Sequence, residues 1–182
     1  MTGNKTKRGL RAPLTLLLIC LCVTLLLALT HNLTAPFIAE ARERTASETR
    51  AGVCPQAGRF AEAEAPAIDG LDSVYLAYDG EEVCGTVFTA RSKGFGGEMT
   101  VVCGLDDEGR LTGCRITRHS ETPGLGTKVA DEAYLAGYAG AGRDEAAAMD
   151  GVTGATFTSK GLKEALAICF NAWDAGRKEG LW

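Results

Sequence analysis

Hydrophobic and polar positions divide the chain into three stretches. Residues 12–39 contain no Asp, Glu, Lys or Arg, and the most apolar part, residues 14–29, reads LTLLLICLCVTLLLAL. Residues 12–33 are long enough, as a helix, to cross about 30 Å of hydrocarbon. A cleaved signal peptide has a shorter apolar run and a small-x-small site, and residues 30–37 offer no convincing Ala-x-Ala. A lipoprotein signal wants small residues before its cysteine, yet Cys20 follows Leu-Leu-Ile and Cys22 follows Ile-Cys-Leu. The run therefore reads as a retained anchor. Residues 34–65 are rich in Ala, Glu and Arg; the first half continues as a helix until Cys54-Pro55 breaks it, and AEAEAPA reads as a linker or a short helix.

Period-two alternation then predicts two β-hairpins. Residues 73–78 (SVYLAY) and 81–90 (EEVCGTVFTA) flank Asp79-Gly80, a hairpin-turn dipeptide. Residues 97–105 and 109–119 flank an acidic turn at Asp106, Asp107 and Glu108. Closure at Glu108-Gly109 pairs Cys103 with Cys114 and Val101 with Ile116 on one apolar face. Residues 131–140 form a short helix or loop with Tyr134, Leu135 and Tyr138. A last helix begins near Ser159, where Leu162, Leu166, Cys169 and Trp173 recur at helical spacing. The expectation is an α+β chain: a tail over residues 1–11, a transmembrane helix over 12–33, a helix or linker over 34–65, and a domain of antiparallel hairpins and flanking helices over 66–182.

Charge gives this chain a direction. Lys5, Lys7, Arg8 and Arg11 are the only charged residues among the first 39 and precede the apolar run, so the N-terminus stays in the cytoplasm and the rest is exported. The other 143 residues hold 15 basic against 23 acidic side chains, a net −8 without a basic stripe, which excludes a nucleic-acid partner. Two histidines, His31 and His119, exclude a multi-histidine metal site. Cys20 and Cys22 lie in the anchor; Cys54, Cys84, Cys103, Cys114 and Cys169 lie beyond it, an odd number with no Cys-x-x-Cys. Free core thiols are the simpler reading, with a Cys103–Cys114 disulfide the alternative.

Candidate chemistry concentrates in residues 150–159, DGVTGATFTS, leading into the last helix. Small residues and hydroxyls let backbone amides approach an anion, and a helix N-terminus suits a phosphate. The same residues also serve as a plain helix cap, with Thr158 or Ser159 accepting from the first turn. A nucleotide-binding P-loop does not fit, because Ser159 stands where its second glycine belongs and Gly161 where its hydroxyl belongs. Ser120 and His119 are neighbours on a strand end, not a nucleophile and its base.

Thr153-Gly154-Ala155-Thr156, followed by Phe157-Thr158-Ser159, resembles the flavinylation motif of the FMN-binding domain found in the G subunit of Rnf complexes and in the C subunit of the Na⁺-translocating NADH:quinone oxidoreductase. His119-Ser120-Glu121-Thr122-Pro123-Gly124-Leu125-Gly126 resembles that family's second motif. Gly94-Phe95-Gly96-Gly97 and an anchor followed by Asn32-Leu33-Thr34-Ala35-Pro36 fit as well. The likeness runs from anchor to last helix, and the short segment between Gly126 and Asp150 favours the Rnf protein.

The resemblance implies FMN joined covalently, through its phosphate, to the Thr156 hydroxyl by a separate flavin transferase that uses FAD and Mg²⁺. It implies that Gly154 and Ala155 keep the acceptor accessible, while Thr153, Thr158 and Ser159 bond the phosphate or cap the helix. Thr122 and the amides near Gly124 meet the polar edge of the ring, Leu125 packs on its face, and Pro123 shapes the turn. Glu121 borders the flavin or anchors its loop; Asp150 positions the acceptor loop or forms a turn; His119 fixes a strand end; Phe95 lies at the ring or in the core. The implied function is an electron-carrying component of a membrane complex that couples electron transfer between ferredoxin and NAD⁺ to Na⁺ or H⁺ translocation. Its partners are the other subunits, and NAD and cluster sites belong to them. The alternative is a free-standing, membrane-anchored flavinylated protein for extracellular or respiratory electron transfer without ion pumping.

Overall fold

The computed structural model describes residues 5–182, with side chains from Pro13 onward, so the four N-terminal cations lie outside the described side chains. Two compact units are formed, Met1–Thr45 and Ala46–Trp182. Helix α1 is continuous over Lys5–Val53 despite Pro13 and Pro36. Among the described residues it is the one helix long and apolar enough to cross a membrane. Its threonines turn their hydroxyls inward: Thr24 donates to Cys20 O at 2.8 Å, Thr30 to Leu26 O at 2.8 Å and Thr34 to Thr30 O at 2.8 Å. Each polar side chain is thereby satisfied by its own helix, as hydrocarbon surroundings require.

The second unit is an antiparallel five-stranded sheet in sequence order: β1 (Arg59–Ala63), β2 (Leu71–Asp79), β3 (Glu82–Lys93), β4 (Glu98–Leu105) and β5 (Leu111–Arg118). Short helices α2 (Glu132–Ala136) and α3 (Arg143–Ala148) follow, then α4 (Thr156–Glu179). Strand alternation sends Phe88, Ala90, Met99, Val101, Cys103 and Leu105 to one face, where they pack with Leu162, Ala165, Leu166 and Cys169 of α4. On the other face Val53 and Cys54, at the end of α1, pack on Ala77, Val87 and Val102. There the paired glycines Gly104 and Gly113 let the backbone of Val53 approach, and Thr112 Oγ1 donates to Val53 O at 2.6 Å.

The expected α+β architecture and both hairpins are present, with shifted details. The first turn is centred on Gly80 and Glu81, between the paired Asp79 and Glu82, one residue later than the Asp-Gly signal places it. The second closes between Asp106 and Arg110, where Asp106 Oδ1 accepts from Glu108 N and Arg110 N. A register shift next to Leu105 restores the expected pairing, so Cys103 faces Cys114 and Val101 faces Ile116. Both cysteines are free thiols. The linker-or-helix reading of the segment around residues 59–65 does not hold for residues 59–63, which pair with β2 as the edge strand β1. Helix α4 begins at Thr156, three residues before the expected start, and no side chain caps it.

Candidate functional site

Three loops converge at the N-terminus of α4. The first is the β3–β4 turn, tightened by Gly94 N donating to Gly97 O at 2.8 Å. It lifts Phe95 into solvent, 69% exposed, so Phe95 is not a core residue. The second follows β5. Thr122 O accepts from Leu125 N, and Gly124 takes φ +77°, so residues 122–125 form a turn that needs glycine at its third position. The third precedes α4: Ala155 N donates to Val152 O at 2.9 Å with Gly154 at φ +82°, a second turn of the same kind.

Glu121 ties these loops together. It is buried; its Oε1 accepts from Gly96 N at 3.1 Å and its Oε2 from Thr158 Oγ1 at 2.8 Å. A Cβ on Gly94 or Gly126 would collide with this carboxylate, so both glycines make room for it. His119 holds the same loop, its Nδ1 accepting from Glu121 N at 3.3 Å. Ser159 Oγ accepts from Val152 N at 3.0 Å, and Tyr134 donates to Asp150 O at 3.0 Å, which fixes the start of the loop before α4. Thr158 and Ser159 are therefore buried braces of the loops and do not cap the helix.

What remains free is Thr156. The residue is exposed and its hydroxyl has no hydrogen-bond partner among the described residues, at the first position of a helix that no side chain caps. It lies between two clefts. One, about 260 Å³, is lined by Phe95, Leu125, Phe157, Ala155, Gly154 and Gly126, with Thr122, Glu121 and Thr158 at its polar positions. Phe95 and Phe157 stand 6.3 Å apart at 47° and leave an apolar mouth open to solvent. The other, about 360 Å³, is lined by Gly151, Val152, Thr153, Ser159, Lys160 and Lys163. Lys163 donates to Ala147 O, whereas the Lys160 ammonium has no protein partner among the described residues.

This donor set fits an aromatic ring joined to a phosphate. The apolar cleft suits a flat ring system, while the uncapped helix start and Lys160 suit a dianion. Of the expected site residues, Gly154, Ala155, Thr158, Glu121, Thr122 and Leu125 line the first cleft, and Thr153 and Ser159 the second; Pro123 and Gly124 shape the turn without lining either. Phe157 and Lys160 line the clefts with no role expected of them from the sequence. An aromatic side chain within a run of small and hydroxyl residues was the available signal for Phe157.

Residues 94–171, from the β3–β4 turn into α4, match the model of the FMN-binding domain family. The chain is 30% identical over 160 residues to the G subunit of the Na(+)-translocating ferredoxin:NAD(+) oxidoreductase complex of Acetobacterium woodii, covering 75% of this chain and 77% of that one. It is 25% identical to the G subunit of the proton-translocating ferredoxin:NAD(+) oxidoreductase complex of Clostridium ljungdahlii, covering 81% and 84%. The crystal structure of Shewanella oneidensis NqrC is 20% identical with a TM-score of 0.48, covering 63% of this chain and 66% of that one. On its identity to the Acetobacterium protein across most of both chains, this protein belongs to the G-subunit family of ion-translocating oxidoreductase complexes and carries that family's FMN-binding domain.

Proposed function

We propose that this chain is the electron-carrying component of a membrane complex of the Rnf type, with FMN held as a phosphoester on Thr156. The observation that carries the reading is the Thr156 hydroxyl: exposed, unbonded, and set between an apolar cleft and a cationic one at an uncapped helix start. In the proposed maturation step Thr156 Oγ1 attacks the flavin-side phosphorus of FAD. An O–P bond forms, the pyrophosphate bond breaks, AMP leaves, and the hydroxyl proton passes to a base of a separate Mg²⁺-dependent flavin transferase. The hydroxyl needs such help to act as a nucleophile, since among the described residues no side chain is hydrogen-bonded to it.

FMN, once attached, supplies a carrier for one or two electrons. The chain's own groups then have distinct tasks. Lys160 and the first-turn N–H groups of α4 offset phosphate charge. Phe95, Phe157 and Leu125 would hold the ring in the apolar cleft and limit water there, and Thr122 would supply a hydroxyl to its polar groups. The Glu121 clasp keeps the three loops in register so that these groups converge.

The cations before the span support a flavin domain outside the cytoplasm, where a covalent bond would prevent loss of the cofactor. The other subunits supply donor and acceptor; relatives are named for both Na⁺ and proton translocation. The test is coexpression with a flavin transferase, followed by a denaturing gel under ultraviolet light and intact mass. A fluorescent band with the mass of FMN less one water is expected, absent in Thr156→Ala and partly retained in Thr156→Ser. Equal fluorescence in Thr156→Ala overturns the attachment. Copurification with multi-span subunits tests the complex, and a protease-protection assay on sealed vesicles tests the orientation.

A further inference from the structure

Strand β3 pairs with β2 as Ala77↔Gly85 and then Tyr78↔Val83, so Cys84 is the extra residue of a β-bulge. A bulge re-aims the side chain that it carries. Here Cys84 packs, partly buried, against the small cluster of Val53, Cys54, Ala77, Val87 and Val102. Its thiol donates to Ala77 O at 3.4 Å, and it lies beside the Cys54 thiol, close enough to act on its ionisation. Cys54 is 1% exposed, with its Sγ 3.6 Å from where a Cβ on Gly85, the neighbour of Cys84, would stand. The first residue after α1 and a bulged residue of β3 are thus brought together from distant points in the sequence.

We propose that Cys54 and Cys84 form a reversible disulfide, opened to oxidant at Cys84 and closed by Cys54, that ties the end of α1 to β3. The oxidant is a disulfide, small or protein-borne. The Cys84 thiolate attacks its S–S bond; one sulfur leaves as a thiolate and is protonated. The Cys54 thiolate then attacks Cys84 Sγ, displacing the second oxidant sulfur, which leaves as a thiol. Two S–H bonds and one S–S bond break, one S–S bond and two S–H bonds form, and the two electrons lost by the cysteine pair reduce the oxidant. Burial and the neighbouring Cys84 push the Cys54 thiol up to about 11, so the closing step quickens as pH rises.

The other buried thiols do not compete. Cys103, Cys114 and Cys169 are buried in the core beneath α4, out of reach of an oxidant. The pair lies on the sheet face away from α4, so its chemistry is independent of Thr156 and of the flavin reading.

The test uses the full-length protein in detergent, incubated with oxidised glutathione, then denatured, alkylated and mapped by mass spectrometry without reduction. The expected result is a Cys54–Cys84 cross-linked peptide two hydrogens lighter than its parts, the other five cysteines alkylated, and reversal by dithiothreitol. In Cys84→Ser, Cys54 is expected to stay alkylated with no new pairing. A Cys84–glutathione adduct beside alkylated Cys54 overturns the proposal. So does a cross-link from Cys54 to any other cysteine, or alkylation of both residues throughout.

Discussion

The two faces of the sheet are held by different means. Under α4 lies a continuous core in which Phe88, Met99, Val101, Leu105, Leu162, Leu166 and Phe170 are all buried. On the opposite face the buried apolar cluster among the described residues is smaller, Val53, Cys54, Ala77, Val87 and Val102, and the backbone of Val53 comes close to Gly104 and Gly113. The thick face also positions the acceptor loop, because the first turn of α4 and the buried Thr158 and Ser159 belong to both core and site. Loop geometry at Thr156 is therefore backed by most of the domain's apolar burial, whereas the end of α1 is fastened by few side chains. Truncation should expose the difference. Leu166→Ala, at 1% exposure, is expected to cost about 2–5 kcal/mol, and Val87→Ala about 1–2 kcal/mol, from two lost methyl(ene) equivalents. Urea unfolding of the detergent-solubilised chain measures both. A larger loss in Val87→Ala than in Leu166→Ala would break the comparison.

The link between thick face and site runs through Glu121. Glu121→Ala leaves the buried Thr158 hydroxyl without its acceptor, at about 1–3 kcal/mol, and releases the Gly96 N–H to water. Glu121→Gln is different. Its amide oxygen still accepts from Gly96, and the Thr158 hydroxyl turns to accept from the amide nitrogen. Flavin loading in a timed transferase assay should therefore fall sharply in Glu121→Ala and stay close to wild type in Glu121→Gln. Equal loss in both would make the negative charge, not the clasp, the feature that matters.

Local periodicity made much of this legible. The 3.6-residue stripe of Leu162, Leu166 and Cys169 set the buried face of α4, and alternation set the register that opposes Cys103 to Cys114. The unpaired Thr156 hydroxyl sits where the motif resemblance puts the acceptor. What local pattern did not carry was long-range satisfaction of polar groups. Thr158 and Ser159 read as helix caps because capping is the nearest use for such hydroxyls; Glu121, 37 positions before Thr158, takes one and the Val152 amide takes the other. With both consumed, α4 starts earlier and uncapped, which is what leaves its N-terminus available to an anion. Strand β1 (RFAEA) escaped notice because an edge strand buries little and its acidic and basic residues hide the alternation.

The comparison that ranks the two faces by their thiols is alkaline softening. On the thick face a hydrogen bond to Cys169 and burial hold Cys103 well above the ordinary thiol range, and burial and Cys169 push Cys114 up to about 12. Tyr138, in the same core, is raised by burial and by its bond to Tyr134. On the thin face Cys54 is pushed up to about 11. For each thiol the folded state keeps its proton to a higher pH than the unfolded chain, which begins to ionise near 8.5. The unfolded state then binds fewer protons, so the stability these groups contribute is fully present below that pH and declines as pH rises toward 11–12. The slope is on the order of 1 kcal/mol per pH unit for each thiol within its window. Urea midpoints of the reduced protein between pH 8 and pH 10.5 should therefore fall. Cys114→Ala and Cys54→Ala should each flatten the fall, and the slope left in Cys54→Ala should be the steeper, since folded Cys54 begins to ionise toward about 11 whereas folded Cys114 keeps its proton toward about 12. An equal or greater flattening in Cys54→Ala would place the main alkaline weakness at the end of α1 instead.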